Sequence, residues 1–410
     1  MTADTSPDQG TPAPAGAAPA AGAPPGFAAV LRYFLRLGTS GFGGPIAVVG
    51  YMQRDLVQQR GWIARQDFLN GVALGQTMPG PLAAQVAMWA GYLRRGALGA
   101  AATAAAFIIP SFLMVTAVAA LYVHYSGLRV VQSLFYGIAP AVMAIIAIAA
   151  WKLVRLTDGK DRRAWAISGV VFAVTAITGQ EPIYLIIGAG LLMIMLDARP
   201  ALRRPRHPPA RPDGGPPVHG VAGLPLAWAA LGTTAAGGVL VSLGLFFLKT
   251  GALVFGSGLA IVPLLRDGVV AQHHWLTQGQ FLDAVAMGLI TPGPVVITAA
   301  FIGYLVAGLP GAVIATAAIF TPIWLGVVLP GRWFIRHRDN AQVKAFVTGA
   351  TAAAGGALSG AVVVLTRQAV TDIPTAAIAL VTLGLLLRFK IGEPYIVAAA
   401  GAFGLLLHWT

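Results

Sequence analysis

The 410-residue sequence contains no cysteine. Disulfides, cysteine-ligated zinc, iron–sulfur clusters and thiol catalysis are therefore excluded. Charge is scarce as well, at 10% of residues, against about 25% in a soluble domain. Acidic residues are the scarcer sign, 14 Asp and Glu against 27 Lys and Arg. There is no GxxxxGK[ST] loop, no HExxH and no paired His–carboxylate cluster. Intrinsic ATP drive and the commoner hydrolytic chemistries lack their residues, and neither an enzyme nor a cofactor is expected.

What is abundant is apolar: 57% of the chain. Windows such as Gly96–Tyr122 and Val130–Trp151 carry no charge. Uncharged apolar windows of 18 or more residues read as membrane-spanning helices. The sequence predicts an all-α polytopic membrane protein in a lipid bilayer. The net charge of +13 could suggest nucleic acid. In a membrane protein such excess marks cytoplasmic loops instead, and most of it here lies in loops and a central linker, so no nucleic-acid partner is expected.

Two segments stand apart. Residues 1–26 are mostly Ala, Pro, Gly and Thr, without Lys or Arg, and read as a disordered tail rather than a signal peptide. Residues 198–220 hold seven Pro and five Arg and read as an extended cytoplasmic linker.

The body of the chain repeats itself. Shifted by 213 residues, Phe34–Pro81 falls on Phe247–Pro294 without a gap, with 18 of 48 pairs identical. Trp62 meets Trp275, and Pro79-Gly80-Pro81 meets Pro292-Gly293-Pro294. At an offset of 212, Gly91 meets Gly303, Gly96 meets Gly308, Pro110 meets Pro322, and Glu181-Pro182 meets Glu393-Pro394. Such fixed-period matching marks an internal duplication. The expected organisation is a repeat at 27–197, the linker, a connecting transmembrane segment at 221–239, and a second repeat at 240–410. Six apolar elements are expected per half, near 27–51, 67–93, 96–122, 129–151, 164–178 and 182–197, then near 246–264, 281–305, 309–330, 342–366, 373–387 and 394–409.

Lys and Arg concentrate in alternate loops of the first half, around 52–66, 94–95 and 152–163, and in the opposite set of loops in the second half. Cytoplasmic loops carry the positive excess, so the two halves are expected to have inverted topology, with the unmatched stretch 221–245 supplying the odd crossing. The alternative is a parallel repeat with uneven loop charge.

Each half carries two interruptions. The first is Gly41-Phe42-Gly43-Gly44-Pro45, repeated as Phe255-Gly256-Ser257-Gly258; the second is Pro79-Gly80-Pro81, repeated as Pro292-Gly293-Pro294. Proline cannot continue a helix but suits the first turn of a new one. Broken helices at membrane depth are tolerated only where protein or a cavity covers them. A half-helix N-terminus there attracts anions. Tight packing or a simple kink would also account for any single break. Four at matched positions point to a substrate site, and the Pro-Gly-Pro elements could re-enter rather than cross.

Arg36 and Lys249, matched by the repeat, are cations in apolar elements and candidates for holding an anion. Arg32 reads as a residue snorkelling to the headgroups. Ser40, Gln76, Gln85, Ser257 and Thr291 are polar groups beside the breaks, suited either to an oxyanion or to interhelical hydrogen bonds. Asp283 could carry a coupled proton or be a first-turn helix charge. Glu181 and Glu393 read as turn and helix-start residues.

The run Phe34–Pro45 with its FGGP break, Trp62, and Gln76-Thr77-Met78-Pro79-Gly80-Pro81 resembles the chromate ion transporter family in its long, two-domain form. The second half departs from it, with Gly256-Ser257-Gly258 where the first has Gly43-Gly44-Pro45. The resemblance implies a secondary transporter of the bacterial cytoplasmic membrane, exporting chromate and conferring chromate resistance, with sulfate as competitor. The alternatives are a transporter of sulfate or another anion, an anion channel and a membrane-embedded enzyme. A homodimer is a further expectation.

Overall fold

The computed structural model describes residues 26–42, 44–125, 129–179, 183–197, 235–255, 258–331, 340–389 and 391–408. The expected tail, the linker and most of the connecting segment lie outside them, as do Gly43, Gly256, Ser257 and Glu181. The described residues form helices and no strand, so the protein is an all-α membrane protein.

The first half comprises α1 (Phe27–Ser40), α2 (Gly44–Met52), α3 (Arg65–Thr77), α4 (Leu82–Tyr125), α5 (Arg129–Asp158), α6 (Arg162–Thr178) and α7 (Ile183–Asp197). The second comprises α8 (Ala235–Ala252), α9 (Ile261–Arg266), α10 (Gln278–Ile290), α11 (Thr298–Val328), α12 (Ala341–Ala369), α13 (Ile373–Arg388) and α14 (Glu393–His408). Leu82–Tyr125, Arg129–Asp158, Val295–Val328 and Ala341–Ala369 are long and apolar enough to cross a bilayer. Side chains such as Leu98, Ile177 and Ile373 are 77%, 84% and 86% exposed. In water that exposure would oppose folding, whereas lipid is as apolar as they are.

The elements break where the sequence forces them to. Met78 and Thr291 each precede a proline, whose ring disfavours helical geometry in the residue before it. Both are extended, and α3 and α10 end there. Gly80 and Gly293 follow at φ +140° and +109°, a region that side chains with a Cβ rarely enter.

The elements expected at 67–93 and 96–122 are not separated by a loop. Helix α4 carries the chain from one to the other and turns a corner at Arg95 and Gly96, where Gly96 has φ +59° and ψ −145°. Residues 91 and 99 of a straight helix would stand about 12 Å apart along its axis. Here the two glycines touch: a Cβ on Gly91 would collide with the Gly99 carbonyl. The chain folds back on itself, and the inner arm is buried from Ala83 to Gly91. Helix α11 does the same at Ala307 and Gly308, with Gly303 against Gly311 and burial from Pro294 to Gly303.

A second departure concerns the start of the second half. The sequence places separate elements at 221–245 and 246–264, yet α8 runs unbroken from Ala235 to Ala252 across that boundary. Nothing between these residues is a proline, and apolar content continues through the junction.

The halves interlock. Helices α6 and α7 pack on α12, while α13 and α14 pack on α5. Each half thus lays its last two helices on the long fourth-element helix of the other. Small residues make this possible: Gly349 and Gly356 on α12 meet the backbones of Ala189 and Ser168, and Gly137 on α5 meets that of Ala400.

Candidate functional site

The four helix interruptions meet at the centre of the molecule. The Gly80 N–H donates to the Val254 carbonyl at 2.6 Å, and the Gly293 N–H donates to the Gly41 carbonyl at 3.3 Å. Under the 213-residue shift these are the same bond made twice. Each Pro-Gly-Pro break is tied to the first break of the opposite half. Gly258 completes the meeting: its Cβ position lies 3.6 Å from Pro81 and 3.7 Å from Val296.

At each break a buried helical arm begins, α4 at Leu82 and, through a short 3-10 turn at Val295–Ile297, α11 at Thr298. The first turn of any helix has N–H groups without intrahelical partners. At the second break the Ile297 and Thr298 N–H groups are already taken up by the 3-10 turn, donating to the Pro294 and Val295 carbonyls.

Polar side chains brace the breaks. Gln85 is fully buried, and its amide donates to the carbonyls of Met78, at 3.2 Å, and Pro79, at 2.9 Å. The amide hydrogens thus satisfy carbonyls that the broken helix leaves open. In the second half Thr298 stands in its place and donates to the Val295 carbonyl at 2.8 Å. Thr291 donates to Met287 at 2.7 Å, within its own helix.

Ser111 was not among the sequence candidates. It is fully buried on α4 and donates to the Pro292 carbonyl at 2.6 Å, across to the second half. A Cβ added to Gly293 would collide with its hydroxyl. Ile323 occupies the matching place over Gly80, at 2.8 Å from the Cβ position. The signal available in the sequence was slight: Ser111 follows Pro110, a proline matched by Pro322.

Other candidates lie apart. Arg36 and Lys249 are exposed on α1 and α8, about one turn before the breaks, and neither enters an ion pair among the described residues. Ser40 is exposed and donates back to the Arg36 carbonyl at 2.9 Å. Gln76 is exposed in the last turn of α3. Gly44 and Pro45 form the start of α2, and Pro79, Pro81, Pro292 and Pro294 flank the two central glycines. Asp283 is 9% exposed within α10 and accepts a hydrogen bond from the Tyr122 hydroxyl at 2.7 Å. Tyr122 belongs to the first half, so this pair too crosses between halves.

A small cavity opens beside the second Pro-Gly-Pro break. Gly41, Phe42, Thr291, Gly293, Glu393 and Pro394 line it. Glu393, read from sequence as a helix start, does begin α14, but it also faces this cavity.

The model of the family described as Chromate transporter matches residues 28–194 and again 241–405. The chromate transport protein of Cupriavidus metallidurans is 49% identical over 380 residues, covering 92% of both chains. The probable chromate transport protein of Synechococcus elongatus is 46% identical, covering 92% of this chain and 95% of its own. The chromate transport protein of Pseudomonas aeruginosa is 28% identical over 94% of this chain and 93% of its own. No solved structure matches the chain. With its helical membrane fold, its doubled family match and these near-full-length relatives, the chain belongs to the chromate transporter family.

Proposed function

We propose that the protein exports chromate across a bacterial cytoplasmic membrane and thereby confers chromate resistance, with sulfate, the isosteric dianion, as its competitor. The observation that carries this reading is the convergence of the four breaks, tied by the paired bonds Gly80 to Val254 and Gly293 to Gly41. Two helix N-termini at one buried place suit a tetrahedral oxyanion, which accepts hydrogen bonds from every side. The relatives' names supply the identity of the anion.

The halves act as inverted repeats, 27–197 and 240–410, that rock about this centre in alternating access, with the 198–220 linker and the 221–239 segment joining them. Arg36 and Lys249, on matched exposed faces before the breaks, draw the anion in. Asp283, buried and held by Tyr122, carries a coupled proton. Two copies assemble as a homodimer. With the cell interior negative, a dianion leaving gains about twice the 2.3 kcal/mol that one charge gains per 100 mV, so the potential drives export.

Everted membrane vesicles test the reading. They should accumulate chromate when they contain the protein, excess sulfate should slow the uptake, and Gly80→Ala should abolish it at unchanged expression. Equal accumulation with and without the protein would overturn the proposal.

A further inference from the structure

The charged side chain lining the cavity beside the second Pro-Gly-Pro break is a carboxylate, Glu393. That is an unexpected neighbour for a site that attracts anions. The other walls are Gly41 and Phe42 from the first half, then Gly288, Leu289, Thr291, Gly293, Val295 and Pro394 from the second. None of these titrates. Glu393 forms no ion pair within 4 Å among the described residues. The helices packed on α14 are α5 and α10. From α5 the cation whose field reaches Glu393 is Lys152. From α10 the ionisable group is Asp283, about one and a half turns from the cavity and bonded to Tyr122.

Resting on the reading of the breaks as an oxyanion site, we propose that Glu393 is its proton-linked gate: the anion occupies the site when Glu393 is protonated and is expelled when it ionises. A carboxylate and a dianion in one poorly hydrated cavity repel strongly, because little water separates or screens them. The protonated acid removes that repulsion and adds an O–H donor toward the anion. Linkage makes the effect reciprocal, so anion binding must draw a proton from solution onto the Glu393 carboxylate, and release of the anion must return it.

The test is chromate binding to the purified full-length protein in detergent across mildly acid to alkaline pH. It is read by tryptophan quenching, with proton uptake followed in weak buffer. In the wild type, affinity should fall as pH rises, by up to about tenfold per pH unit for one linked proton, and chromate addition should take up protons. Glu393→Gln, fixed in the neutral form, should bind tightly at alkaline pH with little pH dependence, and Glu393→Asp should keep the wild-type trend. Protonation of chromate itself acts on all three proteins alike, so the difference between them belongs to residue 393. If Glu393→Gln follows the wild-type curve, or the wild type takes up no proton on binding above neutral pH, the gate is refuted while the oxyanion site stands. If the wild type binds no chromate at any pH, the site reading fails and the gate with it. Should Glu393→Gln fail to fold, Glu393→Ala takes its place, and proton uptake on chromate binding that persists unchanged in that variant would refute the gate.

Discussion

The Gly80 amide donates to the Val254 carbonyl at 2.6 Å, joining the Pro-Gly-Pro break of one half to the first break of the other. Its counterpart, Gly293 to Gly41, is longer at 3.3 Å. Both glycines have positive φ, and both lie against the long helix of the opposite half, Gly80 under Ile323 and Gly293 under Ser111. The centre of the protein is therefore built by exchange: neither half supplies a complete break region alone.

Gly80→Ala tests that construction. The added methyl would stand 2.8 Å from the Ile323 Cγ2 and 2.9 Å from the Gln85 Nε2, at a φ of +140°. Strain of this kind costs about 1–3 kcal/mol. Chromate transport in vesicles should fall to background with expression retained, and Gly169→Ala, on helical backbone with open surroundings, should leave transport within about twofold.

Ser111→Ala removes the donor to the Pro292 carbonyl and leaves that buried acceptor unpaired, at a cost of about 1–3 kcal/mol. Thermal unfolding should shift downward and transport should weaken. Ser111→Thr, which keeps the hydroxyl, should recover more of the transport than Ser111→Val, which has nearly the same shape without it. Equal behaviour of the Thr and Val variants would assign Ser111 to packing alone.

The Tyr122–Asp283 pair makes a separable prediction. Tyr122→Phe strips the hydrogen bond from a 9% exposed carboxyl group and should destabilise the protein by about 1–3 kcal/mol. A double-mutant cycle with Asp283→Asn should return a coupling near 1 kcal/mol, measured by thermal unfolding in detergent. If Asp283 carries a coupled proton, Asp283→Asn should also abolish acceleration of chromate flux by an imposed pH gradient.

Arg36 and Lys249 are exposed and lie before the breaks rather than in them. Arg36→Gln and Lys249→Gln should each raise the apparent KM for chromate several-fold with little change in the maximal rate. The loss should grow at low ionic strength, where long-range attraction is least screened. A fall in maximal rate with unchanged KM would place them in the transport step itself.

Much of this architecture was legible in the sequence because proline and glycine act locally. Pro79 and Pro292 dictate where α3 and α10 end through the residue before them, whatever the rest of the fold does. The matched offset likewise pointed to positions whose geometry recurs, such as Gly96 and Gly308, with φ of +59° and +62°. What could not be read was who faces whom. Gln85 looked like an anion ligand, but its amide hydrogens are committed to Met78 and Pro79. Ser111 and Glu393 carry meaning only through neighbours from distant parts of the chain, 181 residues away for Ser111 and Pro292. The continuity of α8 across the expected boundary was hidden for a different reason, since an apolar stretch without a breaker gives no signal of where one element stops.

The most direct measurement is chromate flux in liposomes reconstituted with the purified protein, with membrane potential and pH gradient imposed separately. The account predicts saturable, sulfate-inhibited chromate movement toward the positive side, lost in Gly80→Ala. Flux equal to that of protein-free liposomes, or flux indifferent to potential and to sulfate, would contradict it.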